Sequence, residues 1–165
     1  MMKKTSLFIG SFKALLSAAL LGMAAVANAQ SITVDDAWVR ATVPAQKATG
    51  AFLRITVTGA NATLVSAASP IAGVTQIHEM EMADGVMRMR EKADGIPLKA
   101  GEALALKPGG YHIMMMDLKQ AVKVGEAVPL TLTVKKADGK QISTTINAEV
   151  RALNGQPVMN HGKMH

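Results

Sequence analysis

The 165-residue chain contains no cysteine, and aromatic residues make up only 3% of it. The lack of cysteine excludes disulfide scaffolds, Cys-ligated zinc, iron–sulfur clusters, thiol catalysis and cysteine-centred blue-copper sites. We also expect no N-terminal lipid anchor, because a cysteine would have to carry the lipid. Charged residues amount to only 18%, which is too few for a solvated, disordered chain. The hydrophobic fraction of 49% instead predicts a folded domain with a proper core.

The first 29 residues differ from the rest of the chain. They include three lysines but no acidic residue, and an apolar run extends from Ala14 to Val26. A basic start, a short apolar run and the tripeptide Ala-Asn-Ala (27–29) predict a secretory signal peptide that is cleaved before Gln30. The run is shorter than the roughly 20 residues that a membrane-spanning helix needs, which argues against a retained anchor. We therefore expect a signal peptide over 1–29, a periplasmic protein, and no stable membrane insertion after cleavage.

The net charge of the exported part is smaller than that of the whole chain. The whole sequence has a formal net charge of +6 at pH 7, but three of its lysines lie in the predicted signal peptide. Residues 30–165 keep 15 basic and 12 acidic side chains, which leaves +3. This modest balance gives no reason to expect a nucleic-acid partner.

Beyond the signal peptide, short apolar or alternating runs are separated by turn residues. Asp-Gly pairs at 84–85, 94–95 and 138–139, and Lys-Pro-Gly-Gly at 107–110, are typical of tight turns. Strands are predicted at 32–43, 51–58, 62–68, 74–82, 86–92, 103–107, 111–117, 127–136 and 140–150. Many short strands at this spacing indicate an all-β antiparallel sandwich, which we place at 30–153. Residues 154–165 lack the alternation and are predicted to be a short flexible tail.

Methionine and histidine are concentrated in two segments of predicted strand. Of the 12 methionines, seven lie between residues 80 and 116, in HEMEMADGVMRMR (78–90) and GGYHIMMMDLK (109–119). Side chains two residues apart share one face of a strand. Three strand faces therefore carry imidazole or thioether groups: His78, Met80 and Met82; Met87 and Met89; and His112, Met114 and Met116.

This combination of side chains has a chemical use. Thioether sulfur is soft and uncharged and imidazole is borderline, so together they favour Cu(I) over Zn(II), Ca(II) or Mg(II). Thioethers cannot form disulfides, which suits them to an oxidising compartment. Methionine is also a common gap-filler in cores, and Met115, on the alternate face with Tyr111 and Ile113, is predicted to be core. The residues alone leave core and metal roles open for four others: Met80, Met82, Met87 and Met116.

The spacing resembles the signature of the PCuAC family of periplasmic copper chaperones. In that signature a His is followed after ten residues by a Met and, a little over twenty residues later, by His-x-Met. Here ten residues separate His78 from Met89, and twenty-two separate Met89 from His112. The segment His112-Ile113-Met114 completes the pattern. The resemblance covers most of the exported part, from residue 32 to residue 151.

The resemblance implies a cupredoxin-like antiparallel β-sandwich of Greek-key type that binds one Cu(I) through His78, Met89, His112 and Met114. It also implies that the protein passes this Cu(I) by ligand exchange to an acceptor, for assembly of the CuA centre of cytochrome c oxidase. The implied partners are the CuA subunit of the oxidase and Sco-type chaperones. Only the family spacing selects Met89 over Met87, since both share one strand face.

The predicted tail is a second candidate metal site. It could bind a further copper, including Cu(II) through imidazole nitrogen, or help to pass metal on. Its alternative interpretation is an unstructured end that contains two histidines by chance. The donor residues of the tail are Met159, His161, Met164 and His165.

Motifs of catalysis are missing from the sequence. It contains no phosphate-cradling Gly-rich loop, no H-E-x-x-H and no G-x-S-x-G. We therefore predict a metal-transfer protein rather than an enzyme. The alternatives are a periplasmic copper sequestration and tolerance protein, and an exported β-sandwich interaction module whose methionines are all core. A copper oxidoreductase is least favoured, because four protein ligands can satisfy Cu(I) and leave no open position.

Overall fold

The structure, a computed structural model, describes residues 30–152. These residues contain ten β-strands. No helix occurs among these residues, and hence none that is long and apolar enough to cross a membrane. The predicted signal peptide and the predicted tail at 154–165 lie outside the described residues. The strands are β1 (Ile32–Arg40), β2 (Ala48–Val57), β3 (Ala62–Ala68), β4 (Ala72–Ala83), β5 (Val86–Glu91), β6 (Ile96–Leu98), β7 (Ala103–Leu106), β8 (His112–Leu118), β9 (Ala127–Lys136) and β10 (Gln141–Arg151).

The Asp-Gly pairs form turns, although not all of these turns join paired strands. Between β4 and β5, Asp84 and Gly85 have φ of 52° and 76°, so both central residues are left-handed, as a type I′ hairpin requires. Gly95 follows β5, but β5 pairs with β4 and β6 pairs with β3. A Cβ on Gly95 would collide with the carbonyl oxygen of Leu64 on β3. Glycine is needed there because the chain passes close to a neighbouring strand.

Each predicted strand coincides with an observed one, and the prediction missed only β6. That strand is three residues long and contains Pro97, so its sequence is typical of a loop. It lies at the end of the sheet, where a missing backbone donor is tolerated. Ile96 and Leu98, on either side of the proline, are buried, and they pack this edge strand against the core.

The strands form one sheet in the order β5-β4-β8-β2-β1-β10-β9-β3-β6, with β7 pairing to the second half of β2. Most neighbours run antiparallel, as predicted, but the first and last strands pair in parallel, with Val39 opposite Val150. Local patterns could not reveal this pairing, because it joins segments from the two ends of the domain. The predicted all-β class is confirmed.

One continuous hydrophobic core lies inside the curled sheet. It contains residues from both halves of the strand order, among them Ile55 of β2, Ile113 and Met115 of β8, and Leu130 of β9. Met115 is 0% exposed, which confirms the prediction that it belongs to the core. The neighbours of Met115 in sequence project to the other side of the sheet, since side chains alternate along a strand.

The outer face of β5, β4, β8 and β2 carries most of the histidine and methionine side chains found in residues 30–152. The registers place His78 opposite His112, Met80 opposite Met89, and Gly50 opposite Met114. Residues directly opposite each other project to the same side of a sheet. The sheet thus brings side chains from the β4–β5 hairpin, from β8 and from β2, three separate segments of the sequence, to one surface.

Candidate metal centre

The two histidines of the described chain lie side by side on β4 and β8. His78 and His112 are directly opposed in the antiparallel register, and their ring centroids are 5.7 Å apart with an interplanar angle of 73°. An imidazole nitrogen binds a metal at about 2.0–2.1 Å, so two rings around one ion have centroids about 6 Å apart. The observed spacing therefore fits a pair of imidazoles that share one metal.

His112 is buried and oriented by its neighbours. Its side chain is only 5% exposed, and its ring lies 6.3 Å from that of Phe52. The Nδ1 atom is 3.0 Å from the carbonyl oxygen of Gly110. A carbonyl can only accept, so Nδ1 donates this hydrogen bond and Nε2 is the nitrogen left to bind a metal. This is the usual arrangement of a metal-binding histidine, in which one nitrogen is oriented by a hydrogen bond and the other binds.

His78 has one nitrogen in a hydrogen bond and one without a partner. Its Nε2 lies 3.0 Å from Oε1 of Gln76, which accepts, so Nε2 carries the proton. Its Nδ1 is buried and has no hydrogen-bond partner within residues 30–152. Such an unsatisfied buried group costs about 1–3 kcal/mol. A bound metal ion would satisfy the lone pair on this nitrogen.

Electrostatics favour the neutral form of His78. Burial lowers its pKa below the ordinary value, and the neighbouring His112 lowers it further, while Glu91 on β5 acts in the opposite direction. A metal binds the unprotonated nitrogen of imidazole. The environment of His78 therefore favours the form of the ring that can bind a metal.

A cavity of about 290 Å³ opens beside the histidine pair on the outer face. Met89 of β5 and Met80 of β4, which are directly opposed, reach it from one side. His112 and Met114 reach it from β8. Three of the four expected ligands thus line one cavity, and the fourth, His78, is not a lining residue but lies next to the ring of His112.

The floor of the cavity is built on Phe52 of β2. Its ring packs on Trp38, with centroids 4.5 Å apart, and lies under Gly50, where a Cβ would come within 2.9 Å of the ring. Only glycine at position 50 leaves room for this ring. The floor is therefore an aromatic layer of Trp38 and Phe52 on which His112 lies.

Arg40 supplies the only formal charge among the described residues that line the cavity. Its guanidinium lies over the Phe52 ring at 5.3 Å from the centroid, a cation–π arrangement. Its Nε is buried and without a hydrogen-bond partner in the part of the chain that the structure describes. No Asp or Glu is among the described lining residues, so the cavity offers no carboxylate ligand to a hard cation such as Ca²⁺ or Mg²⁺.

The donor set depends on its thioethers. Between residues 30 and 152, no group of three or more His, Cys, Asp or Glu side chains is placed to bind a metal. A site here needs Met89, Met114 or Met80 in addition to the two imidazoles. Thioether and imidazole together suit a soft, univalent ion.

The structure separates methionines that the sequence left undecided. Met80 lines the cavity, whereas Met82 and Met87 form the next opposed pair towards the β4–β5 turn and are not among the lining residues. Met116 lies opposite Ala48 of β2 and Val74 of β4 and is also not a lining residue. The four tail residues proposed as a second site lie outside the described residues.

Sequence reasoning did not find several residues that shape the site. Gln76, Gly110 and Phe52 lie against the histidines, and Arg40 lies over the Phe52 ring, but none of them belongs to a recognisable metal motif. Only for Met80 did the sequence indicate a place at the site, because Met80 lies two residues after His78 and therefore shares its strand face.

Comparison with known proteins places the chain in a family. A model of the family described as "Putative lipoprotein LpqE-like" matches residues 32–148. The chain belongs to the LpqE-like family. A curated relative, "Putative lipoprotein Lxx21020" of Leifsonia xyli subsp. xyli, is 37% identical over 106 residues, which are 64% of this chain and 63% of the relative. The match thus spans less than two thirds of that LpqE-like relative, and both descriptions support export to the cell envelope.

Solved structures confirm the expected fold. The apo PCuAC domain from PmoF1 matches with a TM-score of 0.57 at 21% identity, covering 73% of this chain and 93% of that domain. Apo-DR1885 from Deinococcus radiodurans matches with a TM-score of 0.52 at 26% identity, covering 92% of this chain and 97% of that one. The same protein solved as CuI-DR1885 matches with a TM-score of 0.51 at 29% identity over 72% of this chain and 76% of that one. The resemblance to the PCuAC family and its cupredoxin-like β fold is confirmed.

Proposed function

We propose that this protein is a periplasmic copper chaperone that binds one Cu(I) through His78, Met89, His112 and Met114. The observation that supports the proposal most is the opposed pair of imidazoles beside a cavity that Met89 and Met114 also line. The Nδ1 atom of His78 supports it as well, because this nitrogen has no hydrogen-bond partner among the described residues and a bound metal would take that place.

The chemistry of the four groups favours Cu(I) and its transfer. All are neutral when they bind, so the loaded site keeps the single positive charge of the ion. Thioethers are soft but individually weak ligands, and they can be replaced one at a time by the ligands of an acceptor. An acceptor with thiolate ligands would then take the metal, because thiolate is the stronger soft ligand.

Two of the comparisons support this assignment. DR1885, which shares the fold over most of its length, has been solved in a Cu(I) form. The lipoprotein descriptions of the family fit a protein that acts outside the cytoplasm. We propose that residues 1–29 direct export and are then removed, and that the domain works in the periplasm.

The proposed destination of the copper is the CuA centre of cytochrome c oxidase, reached directly or with a Sco-type chaperone. The tail residues Met159, His161, Met164 and His165 are proposed as an accessory copper site, including one for Cu(II). The first proposal comes from the family resemblance, and the second comes from the donor types in the tail.

An anaerobic titration tests the main site. Cu(I) is added to the exported chain in competition with a chromophoric chelator, and the wild type is compared with His112→Ala and Met114→Leu. Loss of groups that only orient a metal ligand costs about 10–100-fold in affinity, so loss of a ligand itself should cost at least about tenfold.

The matched control is Met116→Leu, which removes a thioether from the same face of β8 outside the cavity. It should leave the affinity unchanged. If His112→Ala and Met114→Leu both bind Cu(I) as tightly as the wild type, the assigned site is wrong. If the wild type does not compete with the chelator at all, the proposed function is wrong and a non-metal interaction module takes its place.

Delivery and sequestration differ in what a deletion strain loses. Delivery predicts reduced oxidase activity when copper is scarce, restored by the wild type but not by His112→Ala. Sequestration predicts normal oxidase activity and reduced growth when copper is in excess. Measuring both in the same strain separates the two roles.

A further inference from the structure

The β4–β5 hairpin displays methionine side chains in the solvent. Met82 is 62% exposed, Met87 is 45% exposed and Met89 is 48% exposed. Met80 is directly opposite Met89, and Met82 is directly opposite Met87, so the four thioethers form two neighbouring cross-strand pairs on one face. We call Met80 and Met89 the inner rung, and Met82 and Met87 the outer rung. The outer rung lies next to the Asp84-Gly85 turn.

Packing does not account for these side chains. Strand β5 is the edge of the sheet, its only strand neighbour is β4 within residues 30–152, and all six of its residues are exposed. Burying a methionine would be worth about 1.5–3 kcal/mol, and an exposed side chain forgoes much of this. The residues of the outer rung are not among the described residues that form the core or pack against it.

The opposite face of the hairpin is polar and shows what a purely solvated hairpin would carry. There Glu81 is opposed to Arg88 and Glu79 to Arg90, and Arg90 forms an ion pair with Glu81 at 3.4 Å. Both faces are reached by water, yet one is charged and the other consists of thioethers. The thioether face is therefore selected for a property other than solubility.

Soft-metal binding is the property that thioethers add. Opposed residues in an antiparallel pair have Cβ atoms about 4.5–5.5 Å apart, and the flexible methionine side chain lets two sulfur atoms of one rung meet on a single ion. The inner rung already lines the cavity beside His112. The outer rung continues from it to the tip of the hairpin.

We propose that Met82 and Met87, together with Met80 and Met89, form a second, sulfur-only Cu(I) subsite that leads from the cavity to the hairpin tip. The inference rests on the proposed function, because Met89 is shared with the main site. An ion moves along it by exchange of neutral ligands: a bond to Met89 is replaced by bonds to the outer rung. The copper stays Cu(I), and no proton or electron is transferred.

The subsite is weaker than the main site and is filled after it. It has thioethers alone, without imidazole, and its outer rung is open to water. Weak binding at an exposed tip is what release to an acceptor requires, because the ion must leave the protein there.

The test follows the methionine methyl groups by NMR in the exported chain, with Ag(I) as the probe. Ag(I) is a soft, univalent ion that is stable in air. Each methyl signal is assigned from the Met→Leu variant that removes it. We expect the methyl signal of Met114 to shift first, and those of Met82 and Met87 to shift together as more Ag(I) is added. The tail methionines give separate signals, so binding there is not mistaken for the hairpin.

The decisive variant is Met82→Leu/Met87→Leu, with Met116→Leu as the control. The double variant should keep the first shift at Met114 and should release Cu(I) to a chelator more slowly than the wild type, whereas the control should match the wild type. Methyl signals of Met82 and Met87 that never move, or an unchanged release rate in the double variant, overturn the subsite. A Met114 signal that never moves instead overturns the main site, so the two failures are distinguishable.

Discussion

Met114 and Met115 are adjacent residues of the same type, and they occupy opposite faces of β8. Met115 points inward and is completely buried in the hydrophobic core. Met114 points outward and lines the cavity with His112. The alternation of the strand is the only cause of this difference. Methionine content alone therefore does not identify a metal site; the face on which each methionine lies does.

The same contrast extends to the paired strand. On the inner face, Ile77 lies opposite Ile113 and both are buried, whereas on the outer face His78 lies opposite His112. The inner face is stabilised by close packing and loses stability when side-chain volume is removed. The packed inner face fixes the positions of the strands, so the outer face can carry polar and metal-binding side chains.

The largest effect is expected on the inner face. Met115→Ala should lower the free energy of unfolding by about 2–5 kcal/mol, because it removes a fully buried side chain and leaves a cavity. Urea unfolding of the metal-free protein measures it. The folded fraction should keep its Cu(I) affinity, since no outer-face donor changes. Weakened Cu(I) binding by the folded protein would show that the two faces are coupled.

A smaller effect is expected where the two faces depend on each other. Gly50→Ala places a Cβ 2.9 Å from the Phe52 ring, which is fixed between Trp38 and Arg40. The ring must shift, and the strain should cost about 1–3 kcal/mol in unfolding free energy. Cu(I) affinity should fall too, because Phe52 supports His112. Normal affinity in this variant would mean that the aromatic floor does not position the histidine.

The smallest effect is expected at the exposed end of the outer face. Met87→Ala removes a side chain with no core contacts, and the free energy of unfolding should change by no more than about 0.5 kcal/mol. The same urea experiment tests it beside Met115→Ala. A loss as large as that of Met115→Ala would contradict the description of β5 as a solvated edge.

Much of the fold was predictable because its signals are local. The Asp84-Gly85 turn needs left-handed residues, and its sequence supplies them. The alternation of β8 predicted both the buried Met115 and the outward His112 and Met114. The strand β6 was missed because three residues that include a proline are too few to show a strand pattern.

The candidate site was predictable in its donor types but less so in its surroundings. His78, Met89, His112 and Met114 were selected from spacing and resemblance, and the structure brings three of them to one cavity and places His78 next to His112. Phe52 and Gly50 could not be found this way. They reach the site through the pairing of β2 with β8, which joins distant segments.

The sequence by itself determined the chemistry of this protein. Without cysteine, the soft donors available to a metal are thioethers, and imidazole is the other neutral ligand. Their spacing of two residues puts these donors on one face of each strand. The tertiary structure decided which donors meet. Met89 reaches the cavity and Met87 does not, because the register of β5 on β4 places Met89 opposite Met80. Register and strand order depend on packing over the whole sheet, so only the folded chain settles them.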